Sequence, residues 1–224
     1  MLSVVCPSHH LFYSALHRRR LWLEHLYRTF QTNSQQPAQP KLALQNKYRH
    51  LLDRMPMTSG LGIHSLVPLQ NVLDDTPVDS FLTTLGEDFT SYEIEFFKLM
   101  DQTSSYPDLE DISKAWGQEL AQECLLHLPF LNKIKTRKSI LGLLEVLQTY
   151  LMGGEFSWKP FLLRRYTDTQ LEYELRNCPH EHGSSKACQL ESKVYEGFVR
   201  TLLPQSEYQR LRNESYCLDR VHLA

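Results

Sequence analysis

The spacing of apolar residues changes at Gly153-Gly154, and that change restricts the chain to a mixed architecture. Before this point apolar residues recur every three or four positions, the period of an amphipathic helix. After it, Leu171, Tyr173 and Leu175 alternate with Glu172, Glu174 and Arg176, the period of a half-buried strand. The expected fold is α+β: a helical N-terminal part followed by a small antiparallel sheet packed against helices.

Within the first part, Leu16, Leu23, Leu26/Tyr27 and Phe30 predict a helix over 10–30. The polar, proline-containing stretch 31–40 reads as a linker. A short helix is expected over 42–52, and irregular loop over 60–80. Asp79 or Ser80 can cap a short helix ending near Leu85. Thr90 or Ser91, with Glu93 and Glu95 behind it, predicts a separate helix to Asp101. Asp108 caps a further helix to His127, with an apolar stripe of Ile112, Trp116, Leu120, Cys124 and Leu128. Cys124 on that stripe reads as a packed core residue. A helix over 136–152 ends at the paired glycines.

In the second part, residues 156–163 read as an edge strand carrying Pro160. A turn at Thr167-Asp168 makes a hairpin with the strand 171–176. A helix over 186–203 ends at Pro204. Residues 206–212 form a weak strand, and 216–223 a final one with Cys217, Val221 and Leu223 at alternate positions.

Charge is unevenly distributed. Residues 1–54 carry a net +6 and residues 55–112 a net -10, within a chain whose formal total is -2. Neighbouring segments of opposite sign attract, so the basic N-terminal helix is expected to lie on the acidic segment or across a homodimer. The overall balance excludes a basic nucleic-acid binder, and Arg18–Arg20 is too short a patch to single out such a partner. With 42% hydrophobic and 22% charged residues, the composition is that of an ordinary soluble protein. No apolar run reaches the roughly 18 residues of a membrane span. Five cysteines, an odd number, argue against a secreted disulfide framework, and a cytoplasmic setting is expected. The domain division expected is a basic helical arm and linker over 1–54, then an α+β domain over 55–224 with a cysteine-bearing unit at 150–224.

That unit holds Cys178 at a strand end, Cys188 at a helix start and Cys217 at a strand start, with His180 and His182 in the loop between. A thiolate beside a helix N-terminus is stabilised by the partial positive charge there. Three readings stay open. The cysteines are buried small hydrophobes; or four ligands from Cys178, His180, His182, Cys188, Glu214 and Cys217 hold a zinc ion; or Cys178 or Cys188 is a nucleophile with His180, His182 or His222 as base. The nucleotide-binding, serine-hydrolase and zinc-protease motifs are not found in the sequence.

The Gly153-Gly154 turn, the strand end Leu175-Arg176-Asn177-Cys178, the helix Ala187–Phe198 (ACQLESKVYEGF) and the strand Cys217–Val221 together resemble the 4-vinyl reductase-type (V4R) ligand-binding family. The resemblance extends loosely over 80–224. It implies a small apolar or tetrapyrrole-like ligand held between sheet and helices, with Trp158, Phe161, Tyr173, Tyr195 and Phe198 lining the pocket, in a sensor or accessory protein that dimerises. It also implies a zinc ligated by Cys188 and by Glu214 and Cys217 of a Glu-x-x-Cys segment, completed by Cys178 or His180. A second pattern is similar to the aminothiazoline-carboxylate hydrolase-like family, in which the cysteines are enzymatic. A protein-interaction adaptor acting through the arm is the third class of function.

Overall fold

The computed structural model describes residues 7–33, 46, 49, 77–101, 107–127, 140–147, 161–175, 185–212 and 216–223 of the 224-residue chain. The elements are α1 (Pro7–Asn33), α2 (Val78–Asp101), α3 (Pro107–His127), α4 (Ile140–Val146), β1 (Phe161–Tyr166), β2 (Gln170–Leu175), α5 (Ser185–Leu202), β3 (Ser206–Arg212) and β4 (Cys217–Leu223). The fold is α+β, with helices first and a four-stranded antiparallel sheet after them. The chain divides into two compact units. The first comprises Met1–Thr103 with Thr149–Trp158, the second Ser104–Gln148 with Lys159–Ala224.

In the first unit α1 lies along α2. The basic helix and the acidic one meet through His9 Nε2 and Asp79 Oδ1 at 2.8 Å, and through a two-point Arg19–Glu93 pair in which Nε donates to Oε2 at 2.9 Å. These partners advance together along both helices, so the two run in the same direction. Between them, Trp22 packs on Phe97 with ring centroids 6.0 Å apart, and Tyr27 meets Phe96 at 6.2 Å. Burial of such rings is the main favourable term here, at about 25 cal/mol per Å² of apolar surface.

One expectation fails in this unit. Thr90-Ser91 does not open a new helix; α2 is continuous from Val78 to Asp101. The buried positions 78, 81/82, 85/86, 89, 92/93, 96/97 and 99/100 keep one helical period throughout. Thr90 and Ser91 sit on the outward flank of that stripe, where a hydroxyl is compatible with a helix interior. A good capping residue marks a helix start only where the apolar period also restarts.

In the second unit the sheet order is β1-β2-β4-β3. A Thr167–Gln170 turn closes the first hairpin: the Thr167 amide donates to the Gln170 carbonyl at 2.8 Å, and the Gln170 amide to Thr167 Oγ1 at 2.9 Å. The register places Tyr173 opposite Asp219 and Arg210 opposite Asp219 from the other side. Strand β1 starts at Phe161, directly after Pro160, and carries a bulge between Leu163 and Arg165. That is later than the 156–163 expected; residues 156–160 lie outside those described, as do most of 42–52 and 148–152. α5 ends at Leu202, and Ser206 returns the chain into β3 by bonding the Leu203 carbonyl with both its amide and its hydroxyl.

α3 packs on α5. Its buried line is Leu109, Ser113, Gly117, Leu120, Ala121 and Cys124; of the expected stripe Leu120 and Cys124 are on it, and Ile112 and Trp116 are not. Ile112 and Trp116 are only half-buried. At Gly117 the α5 backbone approaches too closely for any side chain, and Ser113 and Ala121 are buried on either side of it. Cys124 is fully buried, as its position on the helix predicted. Among the described residues no helix is long and apolar enough to cross a membrane.

Candidate functional site

Two regions concentrate polar or reactive groups. The first is the face of the sheet covered by α5. Alternation along β2, β3 and β4 sends Tyr173, Tyr208, Arg210 and Asp219 to that face, among Leu171, Leu175, Cys217 and Val221. Arg210 donates from Nε and Nη2 to the two oxygens of Asp219 at 2.6 and 2.7 Å, a bidentate pair. Its third nitrogen, Nη1, donates to Glu191 Oε2 of α5 at 2.9 Å. The Arg210 side chain is 4% exposed, and those of Asp219 and Glu191 are 0% and 5%, so the three charges are desolvated together and carry a net -1.

The tyrosines finish this cluster. The guanidinium carbon of Arg210 lies 5.0 Å from the centre of the Tyr195 ring, which stacks on Tyr208 at 6.3 Å. Burial raises the Tyr208 hydroxyl well above the usual tyrosine value; Arg210 opposes this and Asp219 reinforces it. Tyr173 is raised likewise, by burial first and then by Asp219. For Arg210, burial pulls downward, but the Asp219 carboxylate outweighs it and the net shift is upward. The arginine therefore stays charged. It clamps α5 to β3 and β4.

That clamp orders the end of the unit where the sulfurs lie. β3 runs back alongside α5, and β4 runs back along β3, so the α5 start, the β4 start and the β2 end lie at one end of the sheet. Cys217, the first residue of β4, is paired with Leu175, the last of β2, and with Arg212. Cys188 is in the first turn of α5, one turn before Glu191. Cys217 is buried and Cys188 half-buried. Cys178, His180, His182 and Glu214 lie outside the described residues. Among the described residues no group of three or more His, Cys, Asp or Glu side chains is placed to hold a metal. His222 is exposed and lies five positions from Cys217, on the opposite face of β4.

Of the expected ligand-lining residues, Tyr173, Tyr195 and Phe198 are 1%, 5% and 0% exposed, within the packing between sheet and helices. Trp158 and the Phe161 side chain lie outside the description.

The second region is a cleft of about 580 Å³ along α2. Phe12 of α1, with Leu82, Gly86 and Ile94 of α2, makes its apolar part. Thr83, Thr90 and Ser91 supply hydroxyls, and Glu87, Glu95 and Lys98 supply charges. Gly86 keeps the floor flat: a methyl group there would come within 3.3 Å of the Phe12 ring.

Sequence reasoning missed both the clamp and the cleft. The clamp left one trace, an aspartate at the alternate position between Cys217 and Val221, where the inner face should be apolar. The cleft left none, because Phe12 lies seventy residues or more from its other lining groups. No family model, no curated protein and no solved structure matches this chain.

Proposed function

We propose that this protein is a small-molecule-binding module of the sensor or accessory type implied by its resemblance to the V4R family. The observation that carries the reading is the cleft beside α2. Its volume of about 580 Å³ is within the usual range of ligand sites, and its make-up is an apolar floor with a few polar groups at the rim. On this reading the ligand lies against α1 and α2 rather than between sheet and helices, where the resemblance would put it, and the tyrosines packed between sheet and α5 serve as framework.

Nile red, a neutral apolar dye, tests the reading. It should bind the full chain with one site, and Thr83→Trp, a substitution at an exposed rim position, should weaken binding at least tenfold. Binding unchanged in that variant, or no binding to the unaltered chain, overturns the assignment.

A second reading is favoured by the end of the sheet at which β2 ends and β4 and α5 begin. Two sulfurs meet the donor chemistry of zinc there, which takes four ligands in structural sites. Cys188 and Cys217 would hold the ion, with the remaining donors from Cys178, His180 and Glu214. Zinc bound there would tie the strand ends to the helix. Metal analysis tests it: one equivalent of zinc lost in Cys188→Ser supports the reading. A metal-free protein whose Cys188 is alkylated rapidly near neutral pH supports a thiol enzyme instead.

A further inference from the structure

On one side the sheet ends in a strand that is exposed on both faces. We infer that the open edge of β1 takes an extended, acidic segment of another protein as an added strand. This surface belongs to the second unit and is independent of the cleft.

The edge comes first. β1 pairs with β2 on one side and has no strand on the other among the described residues. Such an edge presents backbone N–H and C=O groups to a further strand. β2 is buried at every position from 171 to 175, whereas β1 is exposed at every position from 162 to 166. Leu162, Leu163 and Tyr166 are 42%, 44% and 44% exposed, three of the five large apolar side chains that stand out among the described residues. Leu163 is paired with Tyr173 and Tyr166 with Leu171, so both lie on the face that α5 covers. Tyr173 and Leu171 are shielded there, and the cover stops one strand short of the edge. A further strand, about 4.8 Å beyond β1, would bring its own side chains against Leu163 and Tyr166.

Charge selects the partner. On the opposite face, register sets Arg165, Glu172, Arg220 and Gln209 side by side across the four strands. The charges alternate in sign. Arg220 Nε donates to Glu172 Oε1 at 2.6 Å, so that carboxylate is engaged from the β4 side. Arg165, at the end of the row, donates from Nη1 to the neutral Gln170 Oε1 at 3.3 Å, and among the described residues it has no carboxylate within ion-pair distance. Its neighbour Arg164 is held by Glu174 at 2.5 Å, and Asp168 stands in the turn past the end of the strand. The row therefore ends on a cation at the open edge, and a carboxylate is the group that continues it. Opposite charges facing each other on adjacent strands are favourable and like charges are not.

A second copy of β1 does not supply that carboxylate. Phe161–Tyr166 contains two arginines and no acid, and the bulge between Leu163 and Arg165 spoils a flat, self-complementary edge. These features select against self-pairing. They leave a segment that alternates apolar and acidic side chains, the apolar ones toward Leu163 and Tyr166 and a carboxylate toward Arg165.

The test uses the full chain and two fluorescent peptides as long as β1, one alternating valine with glutamate and one alternating valine with lysine. The glutamate peptide should bind about tenfold more tightly, and hydrogen exchange at 161–167 should slow when it does. Arg165→Glu, at an exposed position, should reverse the order; Arg165→Gln should abolish it; Leu163→Ser should weaken both peptides. Equal binding of the two peptides, binding of neither, a glutamate preference that survives Arg165→Glu, or exchange slowed elsewhere than at β1 overturns the inference. Self-association of the unaltered chain that Arg165→Glu abolishes also overturns it and gives the edge to a second copy.

Discussion

Gly117 of α3 and Gly197 of α5 are where the two helices cross. A side-chain carbon on Gly117 would lie 2.0 Å from the Val194 carbonyl oxygen, and one on Gly197 would lie 2.1 Å from the Lys114 carbonyl oxygen. Each glycine makes room for the other helix's backbone. Around the crossing, Lys114 Nζ donates to Glu196 Oε1 at 3.0 Å, and Glu110 bonds Gln189 at the surface.

Gly117→Ala and Gly197→Ala should each destabilise the second unit. Alanine favours a helix over glycine by about 1 kcal/mol, but the obstructing atoms are backbone and cannot rotate away. Forcing the helices apart costs about 1–3 kcal/mol at each site or more, so the net effect is a loss. Thermal unfolding checks it: both variants should melt several degrees lower. An unchanged or higher melting temperature would show that the crossing is looser than these distances.

Arg210→Met should destabilise far more than a surface substitution. It leaves Asp219 and Glu191 buried without their shared counter-charge, a change that costs about 3–5 kcal/mol. The triple variant Arg210→Met, Asp219→Leu, Glu191→Leu should recover much of that loss, because no uncompensated charge remains. Urea unfolding of the single and triple variants separates the two effects. A single variant as stable as the unaltered protein would remove the clamp from the account.

Arg19→Met should likewise weaken the α1–α2 pairing, since Glu93 is 0% exposed and holds Arg19 at two points. The expected cost is about 3 kcal/mol, read as a lower denaturant midpoint, and Arg19→Met with Glu93→Leu should lie closer to the starting value. A double variant worse than the single would overturn this.

His17 predicts an acid-sensitive step. Burial, then the Arg20 and Arg18 charges, lower its pKa from 6.5 to about 4. The folded state therefore binds this proton more weakly than the unfolded state. Its contribution is fully present above pH 6.5 and is lost as pH falls toward 4. The shift corresponds to about 3 kcal/mol at most. His17→Gln should flatten the stability profile across that window. An identical profile in the variant would show that His17 does not titrate there.

The sequence by itself determined β2, α5, β3 and β4 of the second unit. Strict alternation over 171–175, the Thr167-Asp168 turn and Pro204 made the hairpin, the helix and the returning strands legible, since these signals act within a few residues. The opposite charges of the first two segments also foretold that α1 would lie on α2. Tertiary structure alone decided the rest. Whether Thr90 begins a helix depends on the apolar stripe that α1 covers. Which flank of α3 is buried depends on two glycines eighty residues apart. The bond of Arg210 to both Asp219 and Glu191 requires the register of β3 on β4 and the docking of α5. Local preferences amount to tenths of a kcal/mol per residue. Desolvating a charge or overlapping two backbones costs several kcal/mol, so those long-range terms settled every position where the two disagreed.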